Sequence, residues 1–93
     1  MKYTIKFTTR FKRDYKLAMK RGCEEARLRT VVEMLANGMP LPAEYRDHQL
    51  TGTYNGCREC HLRPDWLLIY KVFENVLVLE LTRTGTHSDL FRA

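Results

Sequence analysis

The sequence predicts an α+β fold of two layers in the order β-α-α-β-β-β, with two N-terminal helices packed on one face of a small, mainly antiparallel sheet. Three observations predict it. The first half passes from a period-2 apolar pattern into two stretches of period 3.6. The second half consists of short aliphatic and aromatic runs separated by turn residues. No linker, repeat or low-complexity tract interrupts the chain, so residues 1–93 are expected to form a single domain.

Lys2 to Phe7 alternates, with Tyr3, Ile5 and Phe7 on one side and Lys2, Thr4 and Lys6 on the other, as in a half-buried strand. Thr8 or Thr9 can cap the following helix, whose apolar stripe Phe11, Tyr15, Ala18 and Met19 recurs at i, i+4, i+7 and i+8. Its outer face carries Lys12, Arg13, Lys16 and Lys20, and Gly22 suits its C-terminal stop. A second helix starts near Cys23 and Glu24, buries Leu28, Val31, Val32 and Leu35, and ends at Asn37-Gly38. Together they form an αα-hairpin. Met39-Pro40-Leu41-Pro42 is extended, because each proline biases its predecessor away from the helical region. Tyr45 to Gly56 is polar and reads as a loop or a short irregular strand. Three strands follow, 57–62, 66–73 and 76–82, joined by turns at Arg63-Pro64-Asp65 and Glu74-Asn75. The middle one, WLLIYKVF, is apolar on both faces at its start, as in a central covered strand. The tail from Thr84 to Phe91 closes the chain and can fold back over the sheet, whose second face otherwise remains free for a partner.

Sixteen Lys and Arg against eleven Asp and Glu leave a net charge of +5. On so small a body this points to a polyanionic partner, the alternative being an ordinary solvated basic surface. No segment approaches the ~20 apolar residues of a membrane span. The N-terminal MKYTIKFTTRFKRDYK lacks the apolar core of a secretory signal. Three cysteines are an odd number, which argues against a disulfide framework and fits a reducing, cytoplasmic location.

Cys57-Arg58-Glu59-Cys60-His61 matches C-x-x-C-H, the attachment pattern of c-type haem, and could also begin a zinc site. Haem would need an oxidising compartment and a distal ligand, and nothing singles out Met34 or Met39. If 57–62 is a strand, Cys57, Glu59 and His61 share one face, while Arg58, Cys60 and Leu62 share the other. The two thiols then point apart and cannot grip one metal. A second ligand pair is also missing, because Cys23 stands alone in the helical half. No cofactor and no metal are therefore expected.

The histidines form a different group. His48, His61 and His87 all lie in the second half, and the hairpin after His61 brings Asp65 to the same end of the sheet. Arg58, Arg63, Arg83 and Lys71 surround these elements, and Tyr54, Trp66, Tyr70 and Phe91 offer flat surfaces. Such a set suits RNA cleavage without a metal. A base takes the proton of the ribose 2′-OH, which attacks the adjacent phosphate, and an acid protonates the departing 5′-oxygen. Histidine serves either role because its unperturbed pKa of ~6.5 lies near working pH. Arginine can clamp the phosphate and aromatic rings can stack on unpaired bases.

The block Arg46-Asp47-His48-Gln49-Leu50-Thr51-Gly52, the run from Gly56 through His61-Leu62-Arg63-Pro64-Asp65-Trp66 to Lys71, and Arg83-Thr84-Gly85-Thr86-His87-Ser88-Asp89-Leu90-Phe91 together resemble the YafQ-type toxins of the RelE superfamily. Leu41-Pro42-Ala43 and the helix start Phe11-Lys12-Arg13-Asp14 are similar too. The resemblance implies a RelE-like fold and a bacterial endoribonuclease toxin that cuts mRNA in the ribosomal A site. It also implies a neutralising antitoxin, often with a ribbon-helix-helix part through which the complex binds operator DNA. Carried over by motif, His48, His61, Asp65 and His87 are the catalytic candidates, with Trp66 and Phe91 shaping the site; of the arginines around these elements, Arg58 and Arg83 are the candidates for substrate contact. Proton transfer at the 2′-OH falls to His87 or Asp65, and phosphate contact or leaving-group protonation to His61 or His48. Cys57 and Cys60 depart from the family pattern, which has an aromatic and a small residue there. Two alternatives are a ParE-type poison of DNA gyrase, in which a histidine-rich site is not expected, and a non-cleaving RNA-binding module. The Lys12, Arg13, Lys16 and Lys20 face is the candidate for docking on ribosomal RNA.

Overall fold

Thr8 ends the first strand, β1 (Thr4–Phe7), and starts the first helix, α1 (Thr9–Lys20). Its hydroxyl accepts from the Phe11 amide at 2.9 Å and donates to the Thr82 carbonyl at 2.7 Å, so one side chain satisfies an orphan helix donor and pins it to the sheet. At the other end Gly22 takes φ +85° and Cys23 N–H reaches back to the Ala18 carbonyl at 3.0 Å, which turns the chain into α2 (Glu25–Ala36). The computed structural model describes residues 1–92. After α2 the chain passes through two 3₁₀ turns that flank the two-residue strand β2 (His48–Gln49). It then forms β3 (Arg58–Arg63), β4 (Trp66–Phe73), β5 (Val78–Gly85) and α3 (His87–Phe91).

The strands lie in the order β1-β5-β4-β3-β2, with β1 parallel to β5 and the other pairs antiparallel. The helical hairpin covers one face. Phe11, Ala18, Leu28, Val31 and Leu35 of the helices pack there against Cys60, Leu62, Trp66, Leu68, Tyr70, Leu79 and Leu81. The expected α+β architecture and its two-helix layer are thus present, with three additions. β2 extends the sheet edge. β5 runs three residues beyond Thr82, because the Thr84 hydroxyl accepts from Trp66 Nε1 at 3.0 Å and donates to the Leu67 carbonyl at 2.6 Å, which makes a polar residue suit a buried strand. The second face of the sheet is also not wholly free. Leu90 of α3 packs with Cys57, Leu67 and Ile69, and Leu50 and Tyr54 close over them.

A five-residue helix is unstable alone, so α3 depends on its tethers. Thr86 and Asp89 make a reciprocal capping box, and Arg21 at the end of α1 pairs with Asp89 at 2.6 Å. Burying Leu90 adds roughly 1.5–3 kcal/mol. Phe7 departs from the alternation that predicted it buried. At the end of an edge strand it is 52% exposed and stacks on Phe11, centroids 5.7 Å apart, at the mouth of a groove between α1 and α2.

Strand parity separates the cysteines as expected: Cys60 lies in the helix-side core and Cys57 in the smaller core under α3. Burial pushes the Cys60 thiol up to about 12, whereas Cys23 is partly exposed. A thiol reagent at pH 8 should therefore modify Cys23 alone in the native protein and all three cysteines in denaturant. Rapid native reaction of Cys57 or Cys60 would contradict the strand.

The Arg21 guanidinium and the Thr86 amide hold the Asp89 carboxyl down at about 2, against an ordinary 3.8. A depressed pKa gives stability that is complete above about pH 4 and lost as pH falls towards 2. The protection of the Leu90 amide should fall over that interval, and Asp89→Asn should remove the part of the pH dependence that Asp89 carries while leaving α3 less protected at neutral pH.

Candidate active site

The β3–β4 connection is the two-residue turn Pro64-Asp65, preceded by a register shift between His61 and Arg63. A connection this short places Asp65 at the hairpin tip, beside the start of α3. There the His87 amide and its ring Nδ1–H both donate to Asp65 Oδ1, at 2.8 and 2.6 Å. The amide first, and the ring second, hold the Asp65 carboxyl below its usual range, so it is ionised at neutral pH and can only accept. With Nδ1 committed, Nε2 is the nitrogen of His87 that is free to exchange a proton.

His61 stands next to it. The rings of His61 and His87 meet edge to face with centroids 5.7 Å apart, and the ring of His48 lies 6.3 Å from His61 on the other side. β2 supplies His48, whose Cα pairs with Glu59 across the ladder. The orientation of His48 comes from Arg46, a residue with φ +49°, whose carbonyl accepts from His48 Nδ1 at 2.7 Å. Glu59 lies underneath, with Oε1 3.2 Å from His61 Nε2 and 3.5 Å from His48 Nε2. Its side chain is 5% exposed, His61 15%, and His48 and His87 about half, so the row is open to solvent and its supporting carboxylate is not.

Four sequence-predicted residues, His48, His61, Asp65 and His87, thus converge along one edge of the sheet. The four proposed for substrate contact are placed differently. Phe91 is half exposed and meets Tyr54 edge to face at 5.5 Å. Trp66 is buried in the helix-side core and donates to Thr84. Arg83 forms a two-pronged pair with Asp14 at 2.8 and 2.9 Å, which raises its pKa further, and both side chains are largely buried. Arg58 alternates onto the opposite face from Glu59 and His61. It pairs with Asp47 at 3.3 and 3.2 Å, while Tyr70 donates to the same carboxylate, anchoring the segment just before His48. Glu59 and Arg46 were not among the predicted site residues. The first shares the parity of His61, which was a usable signal; the second acts through its backbone, which carries none.

Residues 3–92 match the family described as YafQ, bacterial toxin of type II toxin–antitoxin system. The mRNA interferase toxin YafQ of Escherichia coli K12 is 43% identical over 88 residues, 94% of each chain. The toxin in the E. coli DinJ–YafQ complex superposes with a TM-score of 0.87 at 41% identity, covering 96% of this chain and 98% of that one. A metal-bound toxin from Helicobacter pylori superposes with a TM-score of 0.90 at 42% identity over 96% and 99%. In this chain the Nε2 atoms of His48 and His61 both face the Glu59 carboxylate, and among the described residues no group of three or more His, Cys, Asp or Glu is arranged to hold a metal ion. On sequence, fold and motif positions together, the chain belongs to the YafQ family of type II toxin–antitoxin toxins.

Proposed function

We propose that this chain, acting as one domain over residues 1–93, is an mRNA interferase that cleaves mRNA in the ribosomal A site, in the cytoplasm and without a metal. The observation that carries this reading is the row His48, His61 and His87, with Glu59 beneath two of the rings and Asp65 behind the third. His87 Nε2 takes the proton of the 2′-OH, and Asp65 keeps the ring in the tautomer that leaves that nitrogen free, as an orienting carboxylate does. The 2′-oxygen bonds to phosphorus as the bond from phosphorus to the 5′-oxygen breaks. His61 or His48 gives the leaving oxygen a proton, and a 2′,3′-cyclic phosphate and a 5′-hydroxyl remain. Phe91 stacks on a base. Trp66, Arg58 and Arg83 serve by holding β2, β4, β5 and α1 in place rather than by touching RNA.

The exposed cations Lys12, Arg13, Lys16 and Lys20 supply a surface for ribosomal RNA. E. coli YafQ is solved with its partner DinJ. A cognate antitoxin is the corresponding partner here, with a ribbon-helix-helix part for operator DNA. The groove between α1 and α2, lined by Phe7, Phe11, Tyr15, Leu28 and Val32 and rimmed by Lys12, Lys16 and Arg29, suits an amphipathic helix with acidic flanks.

The test is a cell-free translation extract treated with wild type, His87→Ala and Glu59→Gln proteins. Wild type should arrest translation and leave new mRNA ends bearing a 2′,3′-cyclic phosphate, whether or not a chelator that removes transition metals and spares magnesium is present. His87→Ala should cut about 10²–10⁴-fold more slowly, and Glu59→Gln should lose less than that. Equal arrest by wild type and His87→Ala, with no new ends, would rule out the catalytic role.

A further inference from the structure

A second concavity adjoins the histidine row. It is a cleft of about 310 Å³ at the outer edge of β3, lined by Arg27 of α2, Arg46, the end of β3 from His61 to Arg63, and the 3₁₀ turn carrying Glu44 and Tyr45. The lining residues include three arginines and one acidic residue, Glu44. Arg63 is partly engaged, since it pairs with Glu24 outside the cleft. Arg27 and Arg46 make no ion pair among the described residues. Arg27 donates through one Nη to the Leu62 carbonyl at 3.3 Å, and its Nε is buried with no hydrogen-bond partner. The buried Nε is closed to a ligand, so Arg27 can meet one only through its Nη groups, and a strong anionic acceptor is the natural partner of a guanidinium that has no carboxylate beside it. Two features join this cleft to the histidines. His61 lines both, and Arg46 orients His48 with its carbonyl while its side chain lines the cleft. A ligand held by the arginines is thereby indexed to the imidazoles.

We propose that Arg27, Arg46 and Arg63 form a phosphate subsite that binds the RNA backbone at a phosphate neighbouring the one attacked. This rests on the reading of the chain as an RNA-cleaving toxin. The cleft fixes which bond reaches the histidines. Arginine suits this because its planar fork meets two phosphate oxygens at once, and no base edge is read, so the subsite sets register rather than sequence preference. An acidic antitoxin segment is the competing occupant. The position of His61 in the wall favours the substrate.

The experiment measures binding without cleavage, so that it stands apart from the catalytic proposal. A short single-stranded RNA, 2′-O-methylated throughout, is titrated with wild type, Arg46→Gln and Arg27→Gln/Arg46→Gln proteins by fluorescence anisotropy at several salt concentrations. The double variant should bind about tenfold more weakly. The slope of log K against log salt should become shallower by about 1.4, roughly 0.7 for each lost phosphate contact. Arg46→Gln, which breaks no hydrogen bond within the fold, should give about half of that change and carries the test alone if the double variant melts early. In wild type, one neutral methylphosphonate linkage beside the scissile position should weaken binding, and the double variant should not feel it. Unchanged affinity and slope in folded variants, no measurable wild-type binding at low salt, or a loss confined to the affinity for an acidic antitoxin would each overturn the subsite. A wild type that binds RNA in this assay yet leaves no new mRNA ends in the translating extract would overturn the nuclease reading and leave the subsite standing.

Discussion

Everything at this site depends on the alternation of β3 between two covered faces. Successive side chains of a strand point to opposite sides, so Cys60 and Leu62 enter the helix-side core while Glu59 and His61 enter the side shared with α3. A slip of one residue would drive both polar groups into the aliphatic layer and the thiol out of it. That penalty makes the register hard to lose. It also explains how a glutamate comes to lie almost wholly buried in a small domain: on its own face it lies within ion-pair distance of two imidazoles, and a buried carboxylate beside groups able to carry positive charge costs far less than an isolated one.

Alternation places His61, but His48 and His87 arrive on elements too short to persist alone. β2 has two residues and α3 five. Each is held by charge-assisted contacts to distant parts of the chain. Asp47 ties the approach to β2 onto Arg58 and Tyr70, and Asp65 and Arg21 tie α3 to the hairpin tip and to α1. The site is thus assembled from one rigid strand and two tethered fragments, and the tethers, rather than intrinsic propensity, fix the distances between rings.

This division explains what could be read from the sequence. The helices carry strong periodic patterns, and β3 and β4 stand out as short runs bounded by turn residues, so the fold class was legible and strand parity gave the face of every β3 side chain. The grouping of His61 with Asp65 was legible from the short turn, and that of His87 from the length of tail after an antiparallel strand. α3 escaped because five residues span too little of the helical period to register. The end of β5 escaped because Arg83-Thr84-Gly85 has the composition of a turn, and only the contacts of Thr84 with Trp66 and Leu67 show otherwise. The arginines were least legible. An arginine near a site reads as a phosphate clamp until its partner is known, and Asp14 lies 69 residues away from Arg83 along the chain.

The same distinction reshapes the meaning of the net charge of +5. Arg21, Arg29, Arg58, Arg63 and Arg83 are each paired with a carboxylate, so their fields largely cancel at a distance. The histidine row is little different, because Glu59 and Asp65 accompany its rings. The cations that the fold leaves uncompensated include the α1 face and the pair Arg27 and Arg46, and these are the ones that would attract a polyanion. On the proposed reading, the imidazoles that do the chemistry and the cations that bind are different side chains. A carboxylate that orients an imidazole would weaken any phosphate contact made by the same residue, so a site that needs both functions has reason to assign them to different side chains.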